Sequence, residues 1–124
     1  FLDRNNIKEG LSVILAAINK VKSGISICVF PEGTRNNTSE DFLPFHGGSL
    51  KIAEKGDCAI IPMALNHTDD IFEAHLPWIR KTHIVLEYCK PIYPKDLPKE
   101  DRKKLSDIVE KVIKDTYYKN QSLL

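Results

Sequence analysis

The sequence predicts an α/β domain with a mostly parallel sheet flanked by helices. Three observations carry that expectation. Apolar runs at residues 25–30 and 58–65 read as short strands covered on both faces. Leu11, Ile14, Leu15, Ile18 and Val21 recur at helical spacing, as do Leu105, Ile108, Val109, Val112 and Ile113. The two kinds of segment also alternate along the chain, the order of α/β architectures.

Taken in order, Phe1-Leu2 reads as the tail of a strand. Asn5 or Asn6 can cap the helix after it, and Gly24 can close that helix. Residues 25–30 form the next strand. A β-α-β crossover makes the two strands parallel, with their C-terminal ends on one edge. Asp3-Arg4 and residues 32–35 then share that edge, where ligands bind in open α/β sheets. Residues 47–55 read as a short helix ended by Gly56. Pro62 marks an edge or bulge within the strand at 58–65. Phe72, Leu76, Pro77 and Trp78 suit a membrane-interface or acyl-groove segment, and equally a cap on the core, which is the reading taken. Residues 82–88 are a strand, and Pro91, Pro94 and Pro98 stiffen a connector. The last helix spans residues 99–118 and packs on the sheet by its apolar stripe. Residues 1–124 thus read as one domain, with a motif-bearing core at 1–92 and a connector plus helix at 93–124.

At 124 residues the chain can bury roughly two-thirds of its unfolded surface. A 42% hydrophobic and 28% charged composition is that of a soluble globular chain. A formal net charge of +1 gives nucleic-acid binding no electrostatic support. No apolar run approaches the roughly 20 residues of a membrane-spanning helix. Cys28, Cys58 and Cys89 lie in apolar surroundings without a Cys-x-x-Cys pair, so they are expected buried and reduced, with no metal site.

The chemistry concentrates in Phe30-Pro31-Glu32-Gly33-Thr34-Arg35. Pro31 suits a strand end because it lacks an N–H. Gly33 permits φ > 0 and close approach of a ligand. Thr34 adds a hydroxyl, and Arg35 a planar fork for phosphate. Glu32, ionised, does not face a phosphate. It either orients an arginine or caps local backbone N–H groups. A solvated strand-to-loop turn accounts for the same residue types. Arg4, brought to the same edge by the crossover, tips the reading toward a two-arginine phosphate site.

Phe1-Leu2-Asp3-Arg4, the Phe30-to-Arg35 block and Ile61-Pro62-Met63-Ala64-Leu65 together resemble three of four motif blocks of the glycerophospholipid acyltransferases. The nearest type is the bacterial 1-acylglycerol-3-phosphate acyltransferase. The likeness covers residues 1–92, and so implies part of a glycerolipid-acyltransferase-type domain. It assigns Arg4, Glu32, Gly33, Thr34 and Arg35 to the acceptor, lysophosphatidic acid. It assigns Ile61 and Pro62 to the acyl chain or donor, acyl-CoA or acyl-carrier protein. His46 stands where many relatives carry lysine near the acceptor pocket, and an exposed loop histidine is the alternative. No metal or other cofactor is implied.

The family's catalytic histidine, followed five positions later by aspartate, precedes the first block. His46, His67, His75 and His83 are followed at that distance by Lys51, Phe72, Arg80 and Tyr88. No catalytic residue is therefore assigned. The chain is expected to be inactive alone and to self-associate through uncovered apolar surface. Its parent is expected at the cytoplasmic face of the membrane. The alternatives are a non-catalytic anion-binding module and an acyltransferase for glycerol-3-phosphate or another lysophospholipid.

Overall fold

A computed structural model describes residues 7–124, with side chains from Lys8 onward. The chain divides into two compact units, residues 1–60 with 93–106, and residues 61–92 with 107–124.

In the first unit, α1 spans Ile7–Lys22. It ends as the sequence predicts. Gly24 takes φ +92, its N–H donates to Val21 O at 3.0 Å, and Ile25 N–H donates to Lys20 O at 3.1 Å. This pair of bonds is a Schellman closure, and it needs a residue free of the left-handed penalty. The predicted stripe is only partly covered: Ile18 is buried and Ile14 and Val21 half-buried, while Leu11 and Leu15 face outward. A 3₁₀ turn at Gly47–Leu50 leads into α2, Lys51–Gly56. Gly56 does not end α2 by its conformation. Asp57 takes the left-handed φ of 55, and Gly56 serves instead as the point where α2 approaches α1. A Cβ on Gly56 would lie 3.0 Å from Val21 Cγ1. Leu50, Ile52 and Ala53 join Ile18 in the core.

The expected last helix is two. Here α3 spans Lys99–Lys103 and α4 spans Leu105–Asn120, with Lys104 breaking the run at φ −104, ψ 18. The α4 stripe is as predicted, with Leu105 and Val109 buried and Ile108, Val112 and Ile113 half-buried.

The sheet departs most from expectation. Residues 25–30 form no regular element and have no ladder partner among the described residues, and their side chains are exposed, Phe30 by 74%. Phe1-Leu2, the strand predicted to pair beside them, lies outside the described residues. The one described ladder is antiparallel, not parallel. It joins β1, Met63–Asn66, to β2, Val85–Tyr88, in the register Met63↔Tyr88 to Asn66↔Val85. The strand predicted from 58 starts only at Met63. Pro62 has no N–H to donate, and its carbonyl accepts from Cys89 N–H at 2.8 Å just before the ladder begins. Burial alternates in β1, Ala64 and Asn66 inward and Leu65 outward, so one face is covered rather than two. Asn66 is fully buried, and its Nδ2 donates to Tyr117 O at 2.9 Å in α4. Lys119 reaches Glu87 at 3.0 Å, which holds that carboxyl below its ordinary value. Asn120 adds a weaker lowering influence, although its own amide atoms fall outside hydrogen-bond geometry.

Two further expectations fail. Cys28 is exposed, because the segment that carries it is uncovered, while Cys58 and Cys89 are half-buried and all three are free. The segment around Trp78 is not a cap on the core, since Leu76, Trp78 and Ile79 face outward.

Candidate functional site

The Phe30-to-Arg35 block folds as a tight turn. Gly33 N–H donates to Phe30 O at 2.9 Å, with Pro31 in the second position and Gly33 at φ +68. Proline presets the backbone for the second position of such a turn, and glycine accepts the positive φ at its end. Because the Gly33 N–H closes the turn, it is not a free donor for an anion. What Gly33 contributes is its backbone conformation and the absence of a side chain.

A second segment is tied to this turn at two points. Glu32 Oε2 accepts Leu43 N–H at 2.9 Å, and Pro31 O accepts His46 N–H at 2.8 Å. Glu32 therefore caps a backbone N–H, one of the two roles open to it. An arginine partner for it is not found among the described residues. Between the ties, Asn36 organises its own turn. Its Oδ1 accepts Thr38 N–H at 2.9 Å and its Nδ2 donates to Glu40 O at 2.6 Å. Phe42 and Phe45 meet edge to face, ring centroids 6.3 Å apart.

The result is a laced surface loop presenting polar groups outward. Thr34, Arg35 and His46 are exposed, and the Arg35 guanidinium has no hydrogen-bond or ion-pair partner among the described residues. An exposed, unpaired guanidinium beside a rigid turn can take a phosphate through two parallel N–H bonds. The structure thus brings Pro31, Glu32, Leu43 and His46 together and leaves Arg35 uncommitted. Arg4 lies outside the described residues. Ile61 and Pro62 belong to the other unit, Ile61 exposed and Pro62 buried. A small cleft of ≈ 110 Å³ lined by residues including Ala53, Asp57, Tyr93 and Lys95 contains none of these residues. Sequence reasoning passed over Asn36, Leu43 and Pro31's carbonyl. The Asn-x-Thr spacing at 36–38 is a signal for the Asx turn; the Glu32–Leu43 bond has no local signature.

Residues 1–66 match the family model described as Acyltransferase. The 1-acyl-sn-glycerol-3-phosphate acyltransferase of Saccharomyces cerevisiae is 31% identical over 90% of this chain and 37% of its own length. The enzyme of the same name from Borreliella burgdorferi is 38% identical over 58% of this chain and 28% of its own. That from Salmonella typhimurium is 33% identical over 80% of this chain and 41% of its own. The chain therefore spans well under half the length of these curated relatives. Among solved structures, the 1-acyl-sn-glycerophosphate (LPA) acyltransferase PlsC from Thermotoga maritima superposes with a TM-score of 0.72 and 29% identity. The match covers 86% of this chain and 44% of that one. The family match falls on the segment that holds the laced turn, and the fold match takes in most of the chain. This chain belongs to the acyltransferase family.

Proposed function

We propose that the protein carrying this segment transfers a fatty acyl group from acyl-CoA or acyl-carrier protein to 1-acylglycerol-3-phosphate. It does so in phospholipid biosynthesis, at the cytoplasmic face of the membrane. The observation that carries this reading is the laced turn with Arg35 exposed and unpaired, inside the segment that matches the family. The names of the relatives support the acceptor's identity.

In this reading Arg35, with Arg4, anchors the acceptor phosphate. Thr34 and His46 complete the polar rim, and Gly33 keeps the turn open to the headgroup. Glu32 works indirectly, holding the 43–46 segment against the turn. Ile61 and Pro62 lie toward the acyl chain or donor. Fixing the phosphate places the acceptor hydroxyl beside the thioester, and that positioning is the segment's part in catalysis. The hydroxyl oxygen attacks the thioester carbonyl, a histidine takes its proton, and the donor's thiol leaves. That histidine, with its aspartate, is not at the required spacing in this chain. The parallel sheet expected of the whole domain is kept as part of this proposal, with residues 25–30 as one of its strands.

The test is acyl transfer by the full enzyme with lysophosphatidic acid as acceptor. Arg35→Ala should lower kcat/KM for the acceptor by roughly ten- to a hundredfold, the worth of a charge-assisted hydrogen bond sheltered from water. Arg35→Lys should restore only part, because a point charge lacks the fork. An Arg35→Ala enzyme with unchanged acceptor kinetics would overturn the assignment.

A further inference from the structure

Residues 69–82 of the second unit form a loop closed at its base. Arg80 N–H donates to Ile71 O at 3.0 Å, and Thr82 Oγ1 donates to Asp70 O at 3.0 Å. Inside it, His75 N–H bonds Phe72 O at 3.0 Å and Trp78 N–H bonds His75 O at 2.9 Å. The loop is therefore shaped by its own backbone. Its tip faces outward with Leu76 63%, Trp78 72% and Ile79 78% exposed. Three large apolar neighbours held in water at the end of a braced loop mark an interaction surface.

The next two residues along the chain indicate the kind of partner. Arg80 and Lys81 are exposed and have no hydrogen-bond or ion-pair partner for their side chains among the described residues. The acids Asp69, Asp70 and Glu73 sit on the preceding limb, and Asp70 lies 3.3 Å from His67 Nδ1. We propose that this tip seats in the interface of a lipid bilayer. Leu76, Trp78 and Ile79 enter the headgroup–acyl boundary, and Arg80 and Lys81 meet the lipid phosphates. Apolar residues followed at once by free cations match the layering of a bilayer surface, hydrocarbon beneath phosphate. Tryptophan suits that depth, with an apolar ring and one N–H donor. The His75, Trp78 and Arg80 N–H bonds keep the loop's shape as its tip enters that layer. The purpose of such a seat rests on the lipid acceptor proposed above.

Trp78 is the chain's one tryptophan, so its emission reports the tip directly. The full chain would be mixed with phosphatidylcholine vesicles, with and without phosphatidylglycerol, in the absence of any lysophosphatidic acid. The expected result is a blue shift of emission, and quenching by lipids brominated on the acyl chain. Leu76→Ser with Ile79→Ser should lower the partition coefficient about tenfold or more. Arg80→Glu with Lys81→Glu should erase the preference for phosphatidylglycerol. These side chains are exposed, so the variants should keep the wild-type far-UV circular dichroism. Because no lysophosphatidic acid is present and the readout is Trp78 emission, failure of the seat is read separately from failure of the acceptor site, which is read by acceptor kinetics. Unchanged Trp78 emission would overturn the proposal, as would undiminished partition of the loop variants. A change in oligomeric state with vesicle binding intact would likewise overturn it, and would assign the tip to a protein surface.

Discussion

Replacing Glu32 should loosen the laced loop at one of its two ties and leave the other in place. The bond from Leu43 N–H to Glu32 Oε2 is 2.9 Å long and partly buried. A hydrogen bond to a charged group contributes roughly 1.5–3 kcal/mol, and partial exposure puts this one near the lower end. Glu32→Ala should therefore speed hydrogen exchange at the Leu43 amide about tenfold, the equivalent of roughly 1.4 kcal/mol. Glu32→Gln keeps an acceptor without the charge and should fall between, at about two- to fivefold. The His46 amide, bonded to the Pro31 carbonyl instead, should change much less in both variants. In the full enzyme, Glu32→Ala should lower kcat/KM for the acceptor while leaving the Arg35 cation in place. Unaltered exchange at Leu43 in Glu32→Ala would refute the argument. So would a Glu32→Gln variant as loose as Glu32→Ala.

Three more outcomes rest on particular contacts. Gly56→Ala places a Cβ 3.0 Å from Val21 Cγ1. Overpacking costs roughly 1–3 kcal/mol, and about 1 kcal/mol returns through helix propensity. A net loss of about 1 kcal/mol should lower the urea midpoint, whereas Gly48→Ala, with nothing within 4 Å of its Cβ, should not show that clash penalty. Asn66→Asp turns a buried donor to Tyr117 O into a carboxylate facing a carbonyl. It should cost about 3 kcal/mol or more in denaturant titration, and Asn66→Asp at wild-type stability would refute the bond's role. Glu87, its carboxyl lowered chiefly by Lys119, stabilises the fold above the usual carboxylate range. That contribution fades as pH falls through its depressed folded value. The gap between wild type and Glu87→Gln should thus be present at neutral pH and vanish on acidification; a gap constant with pH would count against it.

The features legible in the sequence are those set by a single residue's backbone chemistry. Gly24 could close α1 and Gly33 could take positive φ because each position needs it; Pro31, expected at a strand end, instead takes the second position of the turn. Helical spacing likewise marked α4's inward face. The features that escaped depend on distant partners. An apolar run at 58–65 signals burial but carries no information on strand direction, which is settled by β2 some twenty residues on. The 3.6-residue period in α1 defines a stripe without saying how much of it is covered, so Leu11 and Leu15 remained outward. Asp57 took the left-handed position that Gly56 seemed to offer, because Gly56 was needed for contact with Val21. In the site, residue types singled out Arg35, while the Glu32–Leu43 tie spans eleven positions and has no periodic trace.

The two ties around the turn also make the outer arc of the loop, beyond Arg35, tolerant of added length. Loop closure is already enforced by Pro31–His46 and Glu32–Leu43, so extra residues placed between Asp41 and Phe42 would bulge outward. Each doubling of such a loop adds only about 0.6 kcal/mol of entropic cost. The side of the turn that carries Arg35 is thus mechanically insulated from that arc. A short epitope or fluorophore-bearing peptide grafted there would report on the site's surroundings while leaving the reach of Arg35 unaltered.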